Sequence, residues 1–209
     1  MTADEARERL AGLGLSAPAV EALVAHFEYA DRRGKRGHGL ARVAWLETLE
    51  LNPLAQPRRL VAEDGYELWD GGGALGYLVL EDVVRTTLAA PPERARVVVA
   101  SRCFPSGALG YWVRRLAEGG LVAVLTATSP RRLPHPDGGI PLTGTNPLAI
   151  AIPSSDGAPL VTDVSMAAQA NAEGWPTYSR NELLCETGWC STLGRAIATW
   201  AGTGFENRI

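Results

Sequence analysis

An alternation of helix-type and strand-type apolar segments constrains the fold of this chain more than any other feature. Apolar residues recur at helical spacing in two segments, and shorter apolar runs with strand character lie between and after them. The predicted helices cover 77–88 and 109–117, and the predicted strands cover 97–100, 121–126, 148–152 and 160–162. Helices that alternate with strands are typical of α/β folds, so we predict an α/β chain.

The first 50 residues form a separate, helical segment in this prediction. Thr2 and Glu5 make a capping box that opens a short helix, which ends at the glycines near residue 12. Ser16 begins a second helix whose buried face repeats at helical spacing as far as Phe27 and which ends near Gly34. A further short helix is predicted over 42–49.

Composition bounds the class of protein. The 209 residues are 46% hydrophobic, which is enough for one ordinary domain or two small ones. The net charge is −3 and the basic residues are scattered, so neither nucleic acid nor a membrane surface is favoured as a partner. The N-terminus is charged and no apolar run approaches the length of a membrane span, so we expect a cytoplasmic protein that acts on a small molecule.

Three cysteines, at positions 103, 185 and 190, are predicted to be reduced thiols, because they cannot all pair and none lies in a C-x-x-C motif. From about residue 169 onward, short Gly, Trp and Pro clusters interrupt every period. We therefore predict a diverged, poorly ordered tail over 169–209.

The hexapeptide GHGLAR at 37–42 places His38 four residues before Arg42. Residues at this spacing share one side of a helical turn. Arginine can bind a carboxylate bidentately, and a histidine can deliver a proton to a developing alkoxide or amine, so the pair suits a 2-oxo acid. Taken alone, a solvated histidine in a basic loop is the commoner arrangement, and that alternative stays open.

Two other segments could contact a ligand. A loop that contains DGG at 137–139 and TGTNP at 143–147 offers close backbone approach and polar side chains, although a plain turn into the next strand explains it equally well. Asp163, at the end of a predicted strand, could orient a histidine or could cap a following helix. Neither a Rossmann glycine fingerprint nor a P-loop is present in the sequence.

Three ordered blocks carry a family resemblance. The segments YADRRG at 29–34 leading into GHGLAR, GTNPLAIAIP at 144–153 and DVSMA at 163–167 resemble the type-2 malate/L-lactate dehydrogenase family, over roughly 8–170. The resemblance implies the non-Rossmann α/β fold of that family, incomplete at the C-terminus and preceded by the helical segment. It also implies a homodimer that uses NAD or NADP to reduce a small 2-oxo acid or a cyclic imino acid, with cofactor binding and catalysis in 51–168 and no metal.

Roles for individual residues follow from the resemblance alone. His38 would be the proton donor, Arg42 the carboxylate clamp and Asp163 the group that orients the histidine. The residues that would contact the cofactor are Thr128, Asn146 and Ser165.

Departures from the family pattern leave other interpretations open. Gly37 stands where the family usually has serine, and Cys103 stands where it has a functional histidine. A Gly/Lys-rich C-terminal region of the family has no counterpart in the sequence. The chain could therefore be a degenerate binding or dimerisation module, or the product of a premature stop or shifted reading frame.

Overall fold

The computed structural model describes residues 1–131, 133–134, 139–155 and 157–165. Its N-terminal part is helical, as predicted. Helix α1 (Ala3–Gly12) begins with the expected capping box, in which Thr2 and Glu5 satisfy each other's backbone amides. Helix α2 (Ala17–Arg32) follows Ser16 and buries its apolar face.

The chain then leaves α2 through a short 3-10 turn and enters helix α3. The 3-10 turn spans Arg36–His38, and α3 spans Arg42–Leu46. Helix α3 is shorter than the predicted 42–49, because its backbone bonds after Leu46 become the tighter, turn-like type that often ends a helix.

A first sheet has the strand order β1-β2-β3. Strands β1 and β2 are antiparallel, whereas β2 and β3 are parallel and are connected through helix α4, which makes this a β-α-β unit. The elements are β1 (Arg58–Glu63), β2 (Tyr66–Asp70), α4 (Gly76–Ala89) and β3 (Val97–Ser101).

Strand β2 was absent from the sequence prediction. Its residues Glu67 and Asp70 are charged and yet almost fully buried, so the strand lacks the apolar pattern by which strands are detected. The carboxylate of Glu67 accepts hydrogen bonds from the indole of Trp69 and from Arg96, at 2.9 and 3.1 Å. These hydrogen bonds offset the free-energy cost of removing the carboxylate from water.

A second sheet has the order β4-β7-β8, with both neighbouring pairs antiparallel. Helix α5 packs on it, and a two-stranded ribbon, β5 with β6, lies in the connection between β4 and β7. The elements are α5 (Leu109–Glu118), β4 (Ala123–Thr126), β5 (Leu133–Pro134), β6 (Pro141–Thr143), β7 (Leu148–Ile152) and β8 (Leu160–Val164). The ribbon was not predicted, and the other four elements confirm the predicted alternation.

The core joins the helices to the second sheet. Helix α2 contributes Leu23 and Phe27, helix α5 contributes Trp112 and Val113, and all four are essentially fully buried. Mixed α and β elements around this core confirm the predicted α/β class. No helix in the described part of the chain is long and apolar enough to cross a membrane.

Some predictions fall on residues that the structure does not describe. These are the diverged tail over 169–209, Cys185 and Cys190 within it, and the first two residues of the glycine loop at 137–139.

Candidate functional site

His38 is the last residue of the 3-10 turn that connects α2 to α3. The turn is held by a backbone hydrogen bond from His38 to the Lys35 carbonyl, 2.8 Å long. Just beyond it, the carboxylate of Asp31 accepts the amide of Leu40 at 2.9 Å. A Cβ atom at Gly39 would lie only 1.8 Å from this carboxylate, so the close approach requires glycine.

Arg42 is the first residue of α3, one helical turn from His38. Its guanidinium carbon lies 3.5 Å from the centre of the Trp45 ring, so the planar group stacks on the indole. The same guanidinium is near the buried hydroxyl of Tyr77: burial raises the pKa of Tyr77 to about 12, and the positive charge of Arg42 works against that rise. The stacking on Trp45 restrains the position of the guanidinium.

Asp163 reaches the same region from strand β8. Its Oδ2 atom accepts a hydrogen bond from the Lys35 ammonium group at 2.5 Å and from the amide of Gly110 at 3.0 Å. Gly110 lies at the start of α5, where amide groups have no partner within the helix and where the helix dipole favours an anion. The carboxylate thus joins β8, α5 and the segment before the 3-10 turn.

His38 joins this region through Lys35, whose carbonyl accepts the His38 amide and whose ammonium group binds Asp163. The pKa of His38 is lowered to about 4, chiefly by burial; the positive charges of Lys35 and Arg42 act in the same direction, and the negative charge of Asp163 opposes them. The structure therefore brings His38, Arg42 and Asp163 together from two distant parts of the chain. The hydrogen-bond partners found for Asp163 are Lys35 and Gly110 rather than His38.

Lys35 is a site residue that the sequence analysis missed. A lysine in a basic loop is an ordinary surface feature, and the sequence around it gives no indication of a carboxylate 128 positions away. In the structure, the side chains of Lys35 and Asp163 are only 17% and 10% exposed. A buried ion pair of this kind fixes both groups, because neither charge is well solvated by itself.

His26 was missed as well. It lies on the buried face of α2, where its Nε2 atom accepts the amide of Ala108 at 3.0 Å, and its ring packs edge-on against Tyr77 with 4.9 Å between centres. Burial lowers the pKa of His26 to about 3, and the charges of His38 and Lys35 contribute in the same direction. His26 thus lies on the buried face of α2 and interacts electrostatically with His38 and Lys35.

Thr128, Asn146 and Ser165 converge at one end of the second sheet. Strands β4 and β8 end there and β7 begins there, since Leu148 is in register with both Thr126 and Val164. Asn146 has a left-handed backbone, with φ of 36°, and its amide is bonded to the hydroxyl of the neighbouring Ser129. Hydroxyl and amide groups grouped in this way can bind the phosphate and ribose oxygens of a dinucleotide, so their chemistry fits NAD(P).

Cys103 lies in the connection between β3 and α5 and is partly buried. Burial raises the pKa of its thiol, so the group is protonated at neutral pH. It therefore lacks the acid-base range of a histidine. Within the residues that the structure describes, no group of histidine, cysteine and acidic side chains could hold a metal ion.

Comparison with known proteins identifies the relatives of this chain. A family model described as malate/L-lactate dehydrogenase matches residues 2–192. A Delta(1)-pyrroline-2-carboxylate/Delta(1)-piperideine-2-carboxylate reductase from Pseudomonas aeruginosa is 29% identical, over 83% of this chain and 54% of its own length. A (2R)-3-sulfolactate dehydrogenase (NADP(+)) from Chromohalobacter salexigens is 32% identical, over 77% of this chain and 49% of its own length.

Among solved structures, malate dehydrogenase from Pyrococcus horikoshii has the same fold. It superposes with a TM-score of 0.73 at 24% sequence identity, over 93% of this chain and 63% of its own. The chain thus spans about half the length of the curated relatives that it matches.

Proposed function

Because the chain belongs to the malate/L-lactate dehydrogenase family, we propose that it provides the substrate-binding and proton-transfer groups of an NAD(P)H-dependent oxidoreductase. The substrate is a small 2-oxo or 2-hydroxy acid, or a cyclic imino acid. One observation carries the proposal: Lys35 binds the Asp163 carboxylate at 2.5 Å and its carbonyl accepts the backbone amide of His38, one helical turn before Arg42, so the three groups belong to one site.

Arg42 binds the substrate carboxylate in this proposal. Its guanidinium presents parallel N–H donors that match the two oxygens of a carboxylate. Stacking on Trp45, 3.5 Å away, holds the group in place before a ligand arrives, so little conformational entropy is lost on binding. The carboxylate then anchors the reacting carbon of the substrate beside His38.

His38 transfers the proton between the protein and the substrate in this proposal. When the substrate is reduced, its carbonyl oxygen or imine nitrogen gains negative charge and needs a hydrogen-bond donor and then a proton. In the opposite direction, a neutral imidazole accepts the proton of a 2-hydroxy acid. Asp163 acts on His38 through its charge and through Lys35, which it binds at 2.5 Å.

Thr128, Asn146 and Ser165 are the proposed contacts of the cofactor. Bound NAD(P)H would supply a hydride to the substrate carbon. Asp163 and Ser165 are two residues apart along the extended end of β8, so the same strand end serves the substrate side and the cofactor side. We also propose that two copies of the chain form a homodimer, which light scattering would measure.

A second proposal is a non-catalytic relative that keeps the binding groups. It is favoured by Cys103, whose raised thiol pKa prevents it from doing the work of a histidine at neutral pH. The absence of a hydroxyl at Gly37 points in the same direction.

The test is to assay the full chain with NADH and NADPH against pyruvate, oxaloacetate and piperideine-2-carboxylate. We expect oxidation of one reduced cofactor with at least one of these substrates. His38→Ala should abolish it, whereas Arg36→Ala, an exposed cation in the same turn, should leave it unchanged. Arg42→Lys should raise KM, because a lysine cannot bind a carboxylate bidentately. If no pair of cofactor and substrate reacts, the oxidoreductase proposal fails and the non-catalytic alternative is favoured.

A further inference from the structure

The partners of Asp163 set it apart from a simple histidine-orienting carboxylate. Its Oδ2 atom already receives two hydrogen bonds, from Lys35 at 2.5 Å and from the Gly110 amide at 3.0 Å. Both charged side chains are largely buried. Displacing either one would leave the other charge in a poorly solvated place, so this ion pair is a fixed part of the site.

Three charged groups act on His38. Lys35 precedes it in the same turn, Arg42 follows on α3, and Asp163 acts on it from β8. His26 on α2 also interacts with His38, but its pKa of about 3 makes it neutral near pH 7. The Nδ1 atom of His38 is enclosed and has no hydrogen-bond partner among the residues that the structure describes. A protonated imidazole would need an acceptor at that nitrogen, whereas a neutral one does not.

We propose that Lys35 is a positioning residue of this site: it holds Asp163 as its own counter-ion, so that the carboxylate is not a hydrogen-bond partner of His38, and it thereby keeps the imidazole neutral until an anionic substrate binds. The proposal rests on the proposed function, because it concerns the same histidine. Lys35 thereby has a role in the site that its position in a basic loop does not indicate.

The consequence is a link between substrate binding and protonation. With its pKa lowered to about 4 in the free protein, the His38 side chain is almost entirely neutral at pH 7. A carboxylate bound at Arg42 adds a negative charge beside the imidazole and offsets the two cations. That charge favours the protonated form, so the proton donor forms when the substrate is present.

The alternative is that Lys35 serves only as a structural tie between the 3-10 turn and β8. A tie would contribute stability without setting the charge of His38. The two roles differ in one measurable quantity, which is the pH at which His38 titrates.

The experiment follows the imidazole carbons of labelled histidine by NMR while the pH is varied. It uses the full chain without cofactor, and the loss of a signal in His38→Gln assigns the resonance. In the unmodified chain His38 should titrate well below pH 6. Lys35→Met removes the charge but retains the length of the side chain, and it should raise the titration midpoint by about one pH unit or more. Lys35→Arg, which preserves the charge, and Arg36→Met, an exposed cation in the same turn, should leave the midpoint within about 0.3.

Oxamate, a small carboxylate that resembles a 2-oxo acid, is the binding probe. Saturating oxamate should raise the His38 midpoint in the unmodified chain, and Arg42→Lys should weaken that response. The rise should be smaller in Lys35→Met, where the imidazole is already easier to protonate.

Two results would overturn the assignment. One is a midpoint near 6.5 or above in the unmodified chain, which can be measured even if Lys35→Met does not fold. The other is an unchanged midpoint in Lys35→Met. Neither result depends on turnover, so an inactive chain with the expected titration would count against the proposed reaction and not against the role of Lys35.

Discussion

Two histidines, His26, which is fully buried, and His38, which is partly buried, should make the stability of this protein depend steeply on mild acid. The pKa of His26 is lowered from 6.5 to about 3 and that of His38 to about 4, in both cases chiefly by burial. A group whose pKa is lower in the folded state binds fewer protons there than in the unfolded chain. Stability is therefore complete above pH 6.5 and is lost as the pH falls from 6.5 toward the folded-state values.

The magnitude follows from the number of protons. Between pH 6 and pH 5, each histidine is mostly protonated in the unfolded chain and neutral in the folded one. Two such groups lower the free energy of unfolding by about 2.5 kcal/mol per pH unit, against a typical total of 5–15 kcal/mol. His26→Leu or His38→Gln alone should reduce that slope by about 1.2 kcal/mol per pH unit, and the double variant by about twice as much.

The assay is urea denaturation followed by tryptophan fluorescence at several pH values between 5 and 7. Slopes are compared rather than absolute stabilities, because each substitution also changes packing. Above pH 5 the ordinary carboxylates remain largely ionised, so they add little to the slope. If the double variant retained the full pH dependence of the unmodified chain, the buried-histidine explanation would be refuted.

Three further predictions concern the stability of the helices: the cap of α1, the buried face of α2 and the start of α4. Thr2→Ala removes one half of the capping box of α1 and should lower the free energy of urea unfolding by about 1 kcal/mol, whereas no loss would mean that the cap adds nothing. Phe27→Ala empties a fully buried position on α2 and should lower the free energy of unfolding by about 3–5 kcal/mol, while a cost below about 1 kcal/mol would contradict the described core. Gly76→Ala places a Cβ atom 2.8 Å from the carbonyl oxygen of Pro105. The substitution should lower the free energy of unfolding by about 1–3 kcal/mol and so lower the thermal midpoint. An unchanged midpoint would show that the backbone at Pro105 moves away without cost.

Most of the secondary structure could be predicted from local sequence because its signals are local. Capping at Thr2 and helical spacing along α2 report contacts within one or two turns of the chain. The runs at 148–152 and 160–162 likewise predicted β7 and most of β8. Strand β2 was not predicted because its buried carboxylates are paired with arginines from distant positions, Arg96 with Glu67 and Arg102 with Asp70, and only the fold brings these groups together.

The sequence by itself determined the order of helices and strands, the family and the types of side chain available for chemistry, because residue identity and spacing carry that information directly. Only the tertiary structure decided which charges meet. The pairing of Lys35 with Asp163 joins residues 128 positions apart, and the meeting of Thr128, Asn146 and Ser165 depends on the antiparallel register of β4, β7 and β8. Because the pKa of His38 depends on distances to charges and on burial, it is a property of the folded chain that no local pattern contains.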